Sequence, residues 1–269
     1  MIYGVMLLWF ILTGLSFIFV AVDIPKTPED KVIKWAFVIL VLFTGPIGAF
    51  FYVLGCREPI KGTHEQFVAA RWKQVLGSTM HCAAGDGIGI IAGAVIASYL
   101  NITGLWDFGL EYILGFSFGW AFFQAYAMKG MAGGSYLKSL RMSFLPEFLS
   151  MNLLMTGMVI AISVLRPRIP GGDDPLQAGF WFVMSMAILV GFICAYPMNW
   201  WLVSNGMKHG MITVRKGNEA HGDMTMEHGH GGHHHSTTAQ KPSGVRIAKM
   251  TVFSVMCLTA GVLISTVLS

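Results

Sequence analysis

Seven apolar runs dominate this chain, at residues 2–22, 34–55, 76–100, 108–128, 145–165, 178–203 and 247–267. A helix that crosses a bilayer needs about 20 mostly apolar residues. Backbone polar groups in lipid must find partners inside their own segment, which favours helices. The runs therefore predict an all-α fold, a polytopic transmembrane helix bundle of about seven spans. The charge content agrees: 12% of residues are charged and 54% hydrophobic, with a mean hydropathy of +0.61. Soluble domains carry about 25% charged residues, and a soluble chain this poor in charge could not cover its surface. The first run lacks a basic stretch before it, so it reads as a retained span and not as a cleaved signal.

This reading divides the chain into a six-span membrane bundle over 1–203, a His/Met-rich loop over 204–246 and a seventh span over 247–269. With seven spans, the N-terminus shares a side with the second, fourth and sixth loops. Those loops hold 13 of the 18 Lys and Arg, and the opposite loops hold 5. The positive-inside rule then puts the N-terminus and the long sixth loop in the cytoplasm and the C-terminus outside. Residues 64–74 and 135–144 mix basic with aromatic side chains, as short interfacial helices do.

The chemistry-bearing residues gather in the third and fifth spans. In the third, His81, Gly85, Gly89 and Gly93 recur every four residues, a row that faces a neighbouring helix. Asp86 falls near the middle of that span, where insertion costs about 2.5–3.5 kcal/mol. It should therefore have a partner or a function, and a polar clasp between packed helices is the plainer alternative. In the fifth span Glu147, Met151, Met155 and Met158 form one helical stripe. Thioethers suit soft ions such as Cu(I), although a Met stripe also serves as flexible core filler. Counted from the starts of their runs, Asp86 and Met155 come level near the midplane, with His81 between Glu147 and Met151. Gln124, Asn152 and Asn199 fall in the same half and suggest a polar cavity open to the cytoplasm.

The sixth loop carries His209 and then His221, His228, His230, His233, His234 and His235. Imidazole is the commonest metal ligand, and a His-rich tract reads as metal-binding without selecting Zn, Ni, Co or Cu. The tract is expected to be a disordered cytoplasmic loop, with an incidental polar linker as the alternative. Cys56, Cys82, Cys194 and Cys257 are scattered, which excludes a thiolate cage from sequence neighbours. Nucleotide-binding, hydrolase and zinc-protease motifs are absent, and nothing points to nucleic acid.

The segments His81-Cys-Ala-Ala-Gly-Asp86, Glu147-Phe-Leu-Ser-Met-Asn152, Ala195-Tyr-Pro-Met-Asn-Trp200 and Lys208-His-Gly-Met211 together resemble an uncharacterised prokaryotic polytopic membrane family, domain of unknown function 4396. The resemblance runs from the second span to the sixth. It implies a multi-pass protein of a prokaryotic cytoplasmic membrane and supplies no activity.

The residues themselves lead to an expected function of transition-metal-ion transport or homeostasis rather than catalysis. The loop would collect Cu, Zn, Ni or Co, with His81, His209, Met151, Met155 and Met158 as ligands. Asp86 and Glu147 would couple charge or protons. The lipid bilayer and the metal ion are the expected partners, and a homo-oligomer or accessory protein stays open. Two rival classes remain: a structural or accessory subunit, and a membrane redox enzyme using His81 with Asp86. On an ideal helix those two residues lie about 140° apart, which counts against the enzyme.

Overall fold

The computed structural model describes residues 1–29, 31–60, 62–129, 132–210 and 242–268. Among them no strand occurs, and each of the seven apolar runs is helical. The helices are α1 (Ile2–Asp23), α2 (Lys31–Gly55), α3 (His64–Val68), α4 (Arg71–Leu100), α5 (Leu105–Phe118), α6 (Ala125–Ala127), α7 (Tyr136–Leu165), α8 (Ala178–Ser204) and α9 (Gly244–Leu268). A π-helical stretch, Gly119–Gln124, joins α5 to α6 into one run from Leu105 to Ala127. Six helices among the described residues are long and apolar enough to cross a membrane by length and composition. The protein is thus a polytopic helical membrane protein.

One of those six helices doubles back. Gly45 in α2 has φ 56 and ψ −134, and Pro46 follows it. This left-handed conformation suits glycine, and a side chain at Gly45 would also meet Thr13 Oγ1 of α1 at 2.5 Å. Beyond the bend the chain returns along itself, and Phe37 and Tyr52 bring their rings to 5.6 Å. The mouth of this hairpin is fastened to the end of α1. Tyr52 donates a hydrogen bond to Asp23 at 2.9 Å, Arg57 pairs with Asp23 at 2.9 Å, and His64 meets Glu29 at 2.7 Å. The run at 34–55 is therefore helical, as expected, but it begins and ends at one end of the bundle.

This hairpin changes the parity of the chain. The segment 56–70 lies at the end where α1 finishes, and from there α4, α5–α6, α7, α8 and α9 alternate in direction. Trp9 of α1 meets Phe182 in the first turns of α8. Asn152 of α7 reaches Ser254 of α9, and Thr156 lies against Gly261 further along both helices. So α7 and α9 run parallel, and the start of α1 and the finish of α9 share one end. That differs from the sequence expectation of termini on opposite sides. We call this the terminal end, and the other, where residues 205–210 sit, the loop end.

Two further boundaries differ from the sequence reading. The stretch 135–144 does not form a separate interfacial helix: it is the start of α7, capped by the Ser135 hydroxyl, which accepts from the Lys138 N–H. Residues 71–74 likewise open α4, which leaves only His64–Val68 as a short helix of its own. At the centre, the glycine row of α4 admits α5 at backbone distance. A side chain at Gly89 would lie 2.7 Å from the Gly115 Cα, and one at Gly93 2.7 Å from the Glu111 Cα. His81 in the same row is 1% exposed, facing the bundle as expected.

Candidate functional site

A group of ionisable side chains lies buried between α4, α7 and α8. Cys82 and Asp86 come from consecutive turns of α4, Glu147 and Ser150 from α7, and Asn199 from α8. The sixth contributor, Lys208, arrives from beyond the end of α8. Gly206 (φ 65) ends that helix, with Gly206 N–H bonded to Val203 C=O at 3.2 Å and Met207 N–H to Leu202 C=O at 2.9 Å. This paired pattern, with glycine in the left-handed position, is a standard helix stop. It reverses the chain and aims the lysine back into the bundle.

The Lys208 ammonium is held by three side chains. It pairs with Glu147 Oε2 at 2.9 Å, and it donates to Cys82 Sγ and to Asn199 Oδ1 at 3.1 Å. The Cys82 thiol in turn donates to Glu147 Oε2 at 3.3 Å. Asn199 is fixed in orientation because its Nδ2 donates to the Ala195 carbonyl at 3.2 Å, while Ser150 Oγ reaches both its Nδ2 at 2.9 Å and its Oδ1 at 3.2 Å. Its oxygen must therefore face the lysine. The side chains of Lys208 and Glu147 are 0% and 1% exposed.

Asp86 completes the group from the other side of Glu147. It is fully buried, and among the described residues no basic side chain bonds to its carboxylate. A Cβ on Gly119 would overlap Asp86 Oδ1 and lie 3.1 Å from Glu147 Oε1. Both carboxyls thus converge on the bare Cα of Gly119, where the π-helical stretch begins. Such stretches are often found at functional sites.

Next to this group, towards the loop end, the His81 and His209 rings meet at 5.5 Å. Phe123 packs edge-on against His81 at 5.5 Å, and Gln124 is its polar neighbour. Gln124 also approaches the Met128 sulfur at 3.6 Å. Two of the imidazoles named from sequence thus come together from α4 and the segment after α8. Asn199 lies in the charged group itself. Asn152 instead joins helices, accepting from Tyr112 at 2.6 Å and donating to Ser254 at 3.1 Å.

The Met stripe is wholly buried, and its ends turn to different neighbours. The methyl of Met151 would lie 2.8 Å from a Cβ on Gly115, and Met158 Cγ 2.7 Å from one on Gly191. The depth register also differs from the sequence count. Asp86 stands level with Glu147 and Met151, not with Met155, because α4 and α7 start earlier than the apolar runs from which depth was counted. His81 and Asp86 face different neighbours, so they make no acid–base pair. Among the described residues no three His, Cys, Asp or Glu side chains converge as a metal cage. His221, His228, His230, His233, His234 and His235 lie outside the described residues.

Cys82, Gly119, Ser150 and Lys208 belong to the group without having been singled out from sequence. For Lys208 the signal was present: Asn205-Gly206 reads as a helix stop, and a stop this close to Asn199 returns the next residues to the same depth.

The family model for a domain of unknown function, DUF4396, matches residues 71–208. That interval begins with α4 and ends on Lys208, and so contains every member of the charged group. No curated protein and no solved structure matches the chain.

Proposed function

The chain belongs to the DUF4396 family, and from that premise and the buried group we propose that the protein is a membrane transporter that moves a cation through the region around Glu147. Transition-metal ions are the cargo suggested by the residues at its entrance. One observation carries the reading: Asp86, Glu147 and Lys208 are all buried in contact range between crossing helices. Ionisable groups inside a membrane bundle are costly and typically mark ion pathways or proton relays. The adjacent His81 and His209 supply imidazoles on the side from which the His-rich loop departs. In this reading the loop raises the local ion concentration, the His pair receives the ion, and Asp86 with Glu147 compensates its charge. Met151, Met155 and Met158 line the region beneath.

A way out at the terminal end supports the same reading. There a cavity of about 740 Å³ is lined by Asp107, Glu111, Ser163, Arg166 and Asp173 among others. Glu111 and Gly115 of α5 and Gly119 at the start of the π-helical stretch follow one another at helical spacing, so one face leads from this cavity towards the two carboxyls.

We infer the orientation from the hairpin together with the charge distribution. The segments at the terminal end carry Arg166 and Arg168 as their only basic residues out of 18 in the chain. By the positive-inside rule the loop end is cytoplasmic, with the N-terminus and C-terminus both outside. This keeps the expected cytoplasmic loop and reverses the expected N-terminus.

The deciding experiment is flux in proteoliposomes containing purified protein, with a metal-sensitive and a pH-sensitive dye inside. Co(II), Zn(II) or Cu(I) should enter in the wild type, and Asp86→Asn and Glu147→Gln should abolish entry while the protein stays folded. Equal flux with and without the protein for all three ions overturns the reading.

A further inference from the structure

The lysine in the charged group sits where a metal ion would sit. Its nitrogen is bound by a carboxylate oxygen, a sulfur and an amide oxygen, contributed by three different helices. Each of these is an acceptor aimed at one point; the Cys82 thiol also bonds to Glu147, and Asn199 is held from outside the trio by Ser150 and Ala195. Only two of the three are His, Cys, Asp or Glu, and the remaining place around the centre is taken by the lysine's own stem. The site is therefore built for a cation and filled by one that the chain supplies.

We propose that the Cys82–Glu147–Asn199 site binds a borderline divalent transition-metal ion, and that the ion enters by displacing the Lys208 ammonium. This rests on the transport reading for its biological role, but the site itself is a separate claim. Thiolate with carboxylate and amide oxygen suits borderline ions such as Co(II) and Zn(II), and suits Mg(II) or Ca(II) poorly. The exchange also conserves charge. Among Lys208, Glu147 and Cys82, ammonium, carboxylate and thiol sum to zero, and so do a dication, carboxylate and thiolate, since a coordinating thiol is deprotonated; Asp86 adds the same charge on both sides of the exchange. One proton leaves as one dication arrives. A monovalent ion would leave the same buried site with a net negative charge once the thiol ionised, so the balance favours a dication.

Lys208 is well placed to leave. It lies two residues beyond Gly206, at the close of the segment that reverses after α8. Its ammonium is carried on a flexible four-carbon stem, the part that would swing towards the loop end when an ion displaces it. The same residue thus keeps Glu147 neutralised between cargo ions.

Co(II) alone is the probe, added to full-length protein in detergent. A Co(II)–thiolate charge-transfer band reports binding to sulfur, which the histidines of the loop cannot produce. Wild type should show the band and Cys82→Ser should lack it. Lys208→Gln should show it at a Co(II) concentration lower by about tenfold, because the internal competitor is gone. Should that variant fail to fold, the wild type supplies an independent reading: saturating Co(II) should raise acylation of Lys208 by an amine-reactive reagent, quantified on its peptide by mass spectrometry. Absence of the band in folded wild type and Lys208→Gln, or Lys208 acylation unchanged by Co(II), overturns the proposal. A band without flux in proteoliposomes would leave the site standing and remove the transport role.

Discussion

Phe37 and Tyr52 place their ring centroids 5.6 Å apart, although a straight helix would hold them about 22 Å apart along its axis at about 1.5 Å per residue. The relationship makes α2 a hairpin and leaves an even number of end-to-end passes among the described residues. Reporter fusions before Met1 and after Ser269 should therefore give the same result, both outside, whereas a fusion within 221–235 should report cytoplasm. Opposite results at the two termini would mean that α2 crosses after all.

Gly45 should tolerate no larger residue. Its positive φ disfavours a side chain, and a Cβ there would press on Thr13. Gly45→Val should lower the melting temperature in detergent markedly, by an amount matching about 1–3 kcal/mol of overpacking plus strain of similar order. Thr13→Ala in the same chain should recover part of the steric loss and none of the backbone strain.

The Lys208–Glu147 pair should show the asymmetry of buried ion pairs. Removing one partner from such a pair typically costs about 3–5 kcal/mol, whereas replacing both by apolar groups costs far less. Lys208→Met alone and Glu147→Gln alone should each melt well below wild type, and the double variant should melt above either. Additive losses would place the stabilising contacts of these residues elsewhere.

Gly119 should act through Asp86. An added methyl overlaps Asp86 Oδ1, so Gly119→Ala should destabilise the fold and abolish flux. Combining it with Asp86→Ala should recover stability without recovering flux. Recovery of both would make Asp86 a packing residue.

Deleting 221–235 should lower the metal bound per protein and leave part of the flux, since a collecting tract raises concentration but forms no path. Metal content of the purified deletion variant and its proteoliposome flux together check this. Complete loss of flux with normal membrane abundance would assign the tract a place in the path itself.

The helices were legible in the sequence because hydropathy over about 20 residues is a strong signal. The bend was not, even though Gly45-Pro46 is a turn signal, because the run around it was long enough to read as a span. Asp86 and Glu147 were visible as costly charges, and His81 as a bundle-facing ring. Lys208 was read as one more basic loop residue. Its return into the bundle depends on Gly206 adopting a left-handed turn, and on three acceptors from helices distant in sequence. Asn205-Gly206 signals the turn, but no local pattern reports the convergence of the three acceptors. The depth error at Asp86 has a simpler origin: apolar runs mark where lipid begins, whereas helices such as α4 and α7 begin earlier in polar surroundings.

The π-helical stretch at Gly119–Gln124 ties the site to the length of its helix. A π turn accommodates one residue more than an α turn, so a regular helix between the same contacts would be shorter. Removing one residue there would rotate everything before it by about 100° relative to everything after it, carrying Gly115 and Glu111 off the face that meets α4. A relative lacking that residue would be expected to have lost both the close approach at Gly119 and the paired carboxyls, which makes the length of this segment a marker for which members of the family share the buried site.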